Sequence, residues 1–176
     1  ANMQQMHGDN YDGGAPYILP TLLGMKFTAS NLTDGLATLK NWAYQASADS
    51  MPAAIYEVFW KHLLIDTFND DLPERYWPNG GATWFEVTRK IVNEPNSFWW
   101  DDKTTADKVE TRDDIFANSY EKAIAELEDT LGNDPSKWTW GALHTSTFEN
   151  GTLGKSGVFL IEDLFNRGPF PTSGGK

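Results

Sequence analysis

TRDDIFANSYEKAIAELEDTLG, residues 111–132, is the stretch that decides the fold class. Thr111-Arg112-Asp113-Asp114 is a capping-box-like start, in which a hydroxyl and a carboxyl three residues apart can satisfy the orphan amides of a first helical turn reciprocally. Phe116, Tyr120, Ala123, Ile124, Leu127 and Leu131 then recur every three or four residues and share one face. Gly132 supplies a C-terminal stop. This is an amphipathic helix, and its apolar stripe requires other elements to pack on it.

Upstream, the same period returns. Residues 93–108 contain Pro95, Trp99-Trp100 and Asp101-Asp102 and read as an ordered loop pinned by its tryptophans. Residues 83–92 read as a helix. Residues 69–81, with Asp70, Asp71, Pro73, Pro78 and Gly80, read as a connection. Ser50 followed by Met51-Pro52 is a cap with proline in the first turn, and Ile55, Val58, Phe59, His62, Leu63 and Phe68 define a stripe to about residue 68. Ser30 is a cap for a helix through about Gln45, with Leu32, Leu36, Leu39, Trp42 and Ala43 on one face. Before it, the polar run His7 to Gly14 leads into residues 15–25, where Pro16 and Pro20 predict short or kinked helical pieces.

Downstream of Pro135 the texture changes. Trp138, Trp140, Gly141, Leu143, His144, Phe148, Gly151, Gly154 and Gly157 mix aromatics and glycines without helical period, interrupted by a short helix near residues 161–165. Residues 167–175 should be extended or turning, because Pro169 and Pro171 deny regular hydrogen bonding. The expected architecture is mainly α, with residues 1–135 a helical subdomain and residues 136–176 an irregular Gly/aromatic-rich tail that contains short strands at most.

Composition narrows the function classes. The 176 residues are 40% hydrophobic and 14% aromatic, enough apolar side chain to bury a core. The formal net charge is −11, which repels a phosphate backbone or an anionic bilayer, so neither nucleic acid nor membrane is an expected partner. No apolar run approaches the roughly 20 residues that a spanning helix needs. The absence of cysteine removes disulfides, thiolate nucleophiles and Cys-based zinc sites together. The first residues show no charged and apolar leader pattern, and both ends are abrupt, as expected of a piece of something longer.

No constellation carries chemistry by itself. His7, His62 and His144 are widely separated and match no metal spacing. His62 falls on the inner face of its helix and reads as a satisfied buried imidazole rather than a ligand or base. His144 follows Trp140-Gly141-Ala142-Leu143 and reads as packing first, as a site residue second. Asp9 to Asp12, Asp70-Asp71, Asp101-Asp102 and Asp113-Asp114 are of the ligand type calcium prefers, but lack an alternating loop pattern and suit caps and turns. Gly154-Lys155-Ser156-Gly157 lacks the spacing of a nucleophile elbow. The tail from Gly168 to Lys176 superficially matches a phosphate loop, yet its second glycine is displaced and two prolines remove backbone donors. Trp99-Trp100 and Trp138/Trp140 are the candidates for contacting sugars or aromatic acyl groups, with core packing the plainer reading.

A collinear series of short matches is more specific. Trp138-Thr139-Trp140-Gly141-Ala142-Leu143-His144, Phe148, Leu153-Gly154, Leu164-Phe165 and Arg167-Gly168-Pro169-Phe170-Pro171-Thr172-Ser173-Gly174-Gly175 resemble the late β-chain of penicillin acylases and their acyl-homoserine-lactone acylase relatives. Met3-Gln4-Gln5-Met6-His7-Gly8-Asp9 with Leu19-Pro20, then Leu36 to Trp42, Ala53 to Trp60, Trp99-Trp100-Asp101-Asp102 and Glu110-Thr111-Arg112-Asp113-Asp114, precede them in the family's order. The resemblance covers nearly the whole chain and falls on scaffold positions.

The resemblance implies an N-terminal-nucleophile hydrolase: a precursor cleaves itself, and the exposed serine attacks an amide carbonyl with its own α-amine as base. It implies that this piece is a helical subdomain beside a four-layer αββα core, with the tail leading back to that core. Nucleophile, oxyanion donors and calcium ligands lie upstream of Met3 in the family's order, and Ala1 has no nucleophilic side chain. No catalytic, cofactor-binding or metal-binding residue is therefore nominated. Calcium is expected only in the parent. The implied partners are the rest of the acylase and a small N-acyl substrate, β-lactam antibiotic or acyl-homoserine lactone, in the periplasm or outside the cell by family analogy. The competing reading is a stand-alone helical binding module presenting its tryptophan loops; a self-sufficient enzyme built on His144 and a carboxylate is the third.

Overall fold

The computed structural model describes Met3 and residues 8–175. Its elements are α1 (Ala15–Leu23), α2 (Ser30–Lys40), α3 (Met51–Phe68), α4 (Ala82–Ile91), α5 (Arg112–Leu131), α6 (Trp140–Leu143), β1 (Thr145–Phe148), α7 (Phe159–Phe165) and β2 (Arg167–Pro171). Single 3-10 turns lie at Glu74–Tyr76, Phe98–Trp100 and Pro135–Lys137. The mainly helical expectation holds.

The helix at residues 112–131 forms for the reasons its sequence states. Thr111 Oγ1 accepts from the Asp114 amide while Asp114 Oδ2 accepts from the Thr111 amide at 2.9 Å, completing the capping box. Gly132, at φ 85, ends the helix in a conformation that costs other residues energy. Ile115, Phe116, Ser119, Tyr120, Ala123, Ile124 and Leu127 are buried, most of them against α3.

Helix α3 is the centre of the unit. Ser50 caps it, its hydroxyl accepting from the Ala53 amide at 3.2 Å, with Pro52 in the first turn. The predicted stripe is only part of what it buries: Ala53, Ala54, Tyr56 and Leu64 are inaccessible as well. A helix apolar on nearly every side is surrounded rather than half-covered. Phe59 sits at its middle, with ring centroids of Tyr56, Phe116 and Tyr120 at 6.3, 5.6 and 6.4 Å.

Two local expectations are corrected, and a third is made specific. Helix α2 stops at Lys40 rather than Gln45, because the chain after Trp42 swings out to pair with residues 10–12. Tyr44 takes φ 60, Gln45 bridges Tyr11, and the Asp12 amide donates to the Tyr44 carbonyl at 2.7 Å. Ser30 is the first residue of α2 and makes no side-chain cap; Ala29 occupies the cap position. The short helical piece expected within residues 15–25 is a single nine-residue helix, Ala15–Leu23, that contains both Pro16 and Pro20. Pro16 falls in the first turn, where its missing N–H is no loss, and Ala15, Ile18, Leu19 and Leu22 anchor one face in the core.

The tail is also more regular than expected. β1 and β2 pair antiparallel, with Thr145 opposite Pro171 and Ser146 opposite Phe170. Pro169 and Pro171 are tolerated because the sheet has two strands, so a proline nitrogen can face outward without breaking the shared ladder.

Glycine at position 35 is required by a close approach. A Cβ there would lie 2.3 Å from Tyr120 Oη and 3.1 Å from Ile124 Cδ1, and that hydroxyl donates to the Leu32 carbonyl at 2.8 Å. Gly35→Ala gains about 1 kcal/mol of helix propensity. It loses more by displacing a buried hydrogen bond, about 1–3 kcal/mol, and by crowding the core, about 1–3 kcal/mol. We expect a net destabilisation of about 2 kcal/mol, read as a lower urea midpoint at unchanged slope; an unchanged or raised midpoint would contradict this packing.

Candidate functional site

A cleft of about 880 Å³ opens along α3, walled by the Tyr11–Gly14 turn, the approach to α4, α6 and the last described residues of the tail. Its apolar walls come from Trp60, Leu64, Ile65, Phe85, Trp140 and Leu143; its acids are Asp12, Glu57 and Glu126. That volume and that mixture are typical of small-molecule sites.

Glu57 is the unusual group. It projects from the buried middle of α3, and its Oε1 is closed to solvent without a hydrogen-bond partner. A Cβ on Gly175 would lie 2.9 Å from that oxygen, so the tail passes close over the carboxyl. Burial, and then the negative charge of Asp12, push the Glu57 carboxyl up to about 8. Burial, followed by the same Asp12 and then Glu57, also raises the Tyr56 phenol. Glu57 is thus a neutral acid near pH 7 that can hold or release a proton close to neutrality.

The other acids are committed to structure. Asp12 Oδ1 accepts from the Gly14 and Ala15 amides at 2.7 and 2.8 Å, capping α1. Glu126 pairs with Lys61 and takes His62 Nε2 at 2.8 Å; burial pushes its carboxyl up, but the hydrogen bonds from Lys61 and His62 outweigh this and leave it below its ordinary value. His62 is therefore a satisfied imidazole tying α3 to α5.

His144 lines the cleft but is not coupled to an acid. Its ring stacks on Trp140 at 4.8 Å and 7°, and Nδ1 meets Thr172 Oγ1 at 3.0 Å and the Thr172 carbonyl at 3.1 Å. The ring is held by a backbone carbonyl and a hydroxyl, and among the described residues no carboxylate is one of its hydrogen-bond partners. His7 lies outside the described residues.

The remaining sequence candidates are scattered. Asp9 holds the Tyr11 amide and Gln45; Asp70 accepts from the Lys103 amide and Asp71 pairs with Lys103; Asp101 Oδ1 accepts from the Glu110 amide and Glu110 Oε2 from the Asp102 amide; Asp113 pairs with Arg112. Among the described residues, no three His, Asp or Glu side chains converge as a metal site. Trp100 and Trp138 are buried, their Nε1 atoms donating to the Glu94 and Gly132 carbonyls; Trp99 is half-buried against Phe68. Gly154 sits in a turn closed by Asn150 and Asn166. Two of the tail amides are already used within the fold: Thr172 donates to the His144 carbonyl and Gly174 to that of Ala46.

Glu57 is the residue that sequence reasoning missed. Its signal was present: residues 53–60, AAIYEVFW, place apolar side chains on every face of a helix and one carboxylate among them.

The sequence of this mainly helical unit matches a known family. The family model described as penicillin amidase matches residues 1–176, and the chain belongs to that family. It is 34% identical over 113 residues to the acyl-homoserine lactone acylase QuiP of Pseudomonas fluorescens, covering 60% of this chain and 14% of that protein. Against the protein of the same name from Pseudomonas syringae pv. syringae it is 32% identical over 136 residues, 73% of this chain and 16% of that one. The Pseudomonas aeruginosa protein is 28% identical over 148 residues, 73% and 17%. The chain therefore spans about one sixth of the length of these relatives. Among the described residues, no helix is long and apolar enough to cross a membrane.

Proposed function

We propose that this chain is a non-catalytic part of an acylase that hydrolyses the amide bond of N-acyl compounds, acyl-homoserine lactones first and β-lactam antibiotics second. The observation that carries this reading is the family match along all 176 residues, joined to relatives that bear the acyl-homoserine lactone acylase name. In this reading residues 1–135 form the helical subdomain and residues 136–176 lead back to an αββα hydrolase core. The N-terminal nucleophile, its oxyanion donors and any calcium belong to the rest of the parent, a periplasmic or secreted enzyme. The cleft supports a role in shaping the acyl pocket: Trp60, Leu64, Ile65 and Phe85 offer an aliphatic and aromatic wall of the kind an acyl chain buries against.

The test is amine release from a panel of N-acyl-homoserine lactones, short to long, and from a phenylacetylated β-lactam. The matured parent should turn over at least one of them, and the purified 176-residue chain none. Turnover that tracks the purified chain would place the nucleophile within these residues and overturn the scaffold role. A matured parent inert on every substrate would overturn the acylase reading.

A further inference from the structure

The end of the cleft that holds Glu57 carries more polar chemistry than its surroundings satisfy. Glu57 Oε1 is closed to solvent and has no hydrogen-bond partner. Tyr56, next to it on α3, is 2% exposed and lines the same cleft, and among the described residues its hydroxyl has no partner either. Asp12 is close enough for its charge to act on both groups, while its Oδ1 serves the Gly14 and Ala15 amides. Among the described residues, no Lys, Arg or His side chain pairs with Asp12 or Glu57. Lys61, which also lines the cleft, is held by Glu126.

We propose that this end of the cleft binds a primary ammonium ion carried on an apolar aryl or alkyl body, with Glu57 as the carboxylate that pairs with it. Two carboxyl groups and a phenol in a poorly solvated place favour a positive charge among them, since each negative group raises the cost of ionising its neighbour. A bare metal ion does not suit them. It needs a shell of oxygens, yet Asp12 Oδ1 already takes two donors, and among the described residues no three His, Asp or Glu side chains converge. An ammonium asks less: its three N–H groups suit the Glu57 carboxylate, the Tyr56 hydroxyl oxygen and Asp12. The rings of Trp60, Phe85 and Trp140 line the same cleft and offer apolar area to a hydrocarbon body and π faces to a charge.

Pairing ionises Glu57. The carboxyl stands at about 8 in the folded chain, so near pH 7 an arriving ammonium displaces its proton to solvent. The other titratable groups that line the cleft are Tyr11 and Asp12 from the turn, Tyr56 and Lys61 from α3, Glu126 from α5 and His144 beyond α6. All of them are the same in a Glu57→Gln variant, so a difference between the two proteins belongs to Glu57. The site goes beyond the acylase reading and does not depend on it.

Titration calorimetry of the intact parent with phenethylamine, and with phenethyl alcohol as its uncharged counterpart, tests this. At pH 7 the amine should bind at least about tenfold more tightly than the alcohol, as a charge-assisted bond in a poorly solvated site implies. Repeated in buffers of different ionisation heat, amine binding should release about one proton. Glu57→Gln should abolish that release, weaken the amine about tenfold and leave the alcohol within about twofold. An alcohol that binds as well as the amine, or amine binding that releases no proton, would overturn the proposal. Amine binding indifferent to Glu57→Gln would place the amine elsewhere in the parent and overturn it equally. If the variant does not fold, the amine-to-alcohol ratio and the proton release of the unaltered protein decide alone. Binding is read without turnover, so an inert parent that takes the amine in this way sinks the acylase reading alone, and an active parent that fails these tests sinks the ammonium site alone.

Discussion

Glu57→Gln is expected to raise the stability of this chain at alkaline pH by a few kcal/mol and to change it little in acid. The carboxyl has an ordinary value of 4.5 and is pushed up to about 8 in the folded chain, by burial first and by Asp12 second. Below about pH 4.5 folded and unfolded chains both hold the proton, and the group contributes nothing. Between 4.5 and 8 the folded chain keeps a proton that the unfolded chain releases, so stability falls as pH rises. Above about 8 the penalty is complete, roughly 4–5 kcal/mol at about 1.4 kcal/mol per pH unit. Total stabilities of about 5–15 kcal/mol make this a large fraction.

Glutamine fills nearly the same space and never ionises, so it removes the pH-dependent part alone. Urea midpoints for both proteins from pH 4 to pH 9 measure it. Other acids, such as Glu126 with its lowered value, lose stability on acidification in both proteins, and the difference between the two isolates Glu57. A difference that stays constant across the range would mean that the carboxyl is solvated or paired, and that the cleft floor is wetter than the structure has it.

Phe59→Ala is the second large effect. The side chain is wholly buried, and its ring lies among those of Tyr56, Phe116 and Tyr120 in tilted and edge-on contact. Truncation removes transfer energy, leaves a cavity at the junction of α3 and α5, and breaks three aromatic pairs. The expected cost is about 3–5 kcal/mol. A chain of ordinary stability would be left marginal, with a midpoint near zero urea or loss of cooperative unfolding. A loss below about 1 kcal/mol would mean that α3 and α5 are not the principal packing pair.

Much of the fold is legible in local chemistry. The capping box at Thr111, the stop at Gly132 and the Ser50 cap with Pro52 each act within four residues, and each appears in the structure where the sequence puts it. The assignment of His62 to packing follows from its place on an inner helical face, and its bond to Glu126 satisfies it. The early end of α2 was not legible, because it depends on pairing with Tyr11, more than thirty residues away in sequence. The hairpin was only half legible: the prolines warned against a central strand, but an edge position is a property of the partner strand and not of the residues themselves.

The sequence by itself therefore determined the helical class, most helix limits and the family, since periodicity, caps and collinear motifs are written within short stretches of chain. Only the tertiary structure decided which acid is perturbed and which surface lacks a partner. Glu57 is one of many carboxylates in sequence, and it becomes a neutral acid because helix burial, Asp12 and the backbone at Gly175 converge on it from distant positions. Leu160 and Leu164 resemble any other apolar residues until the folded body is seen to leave them uncovered. Burial and electrostatic environment belong to the neighbours that folding brings together, and a residue's identity does not name those neighbours in advance.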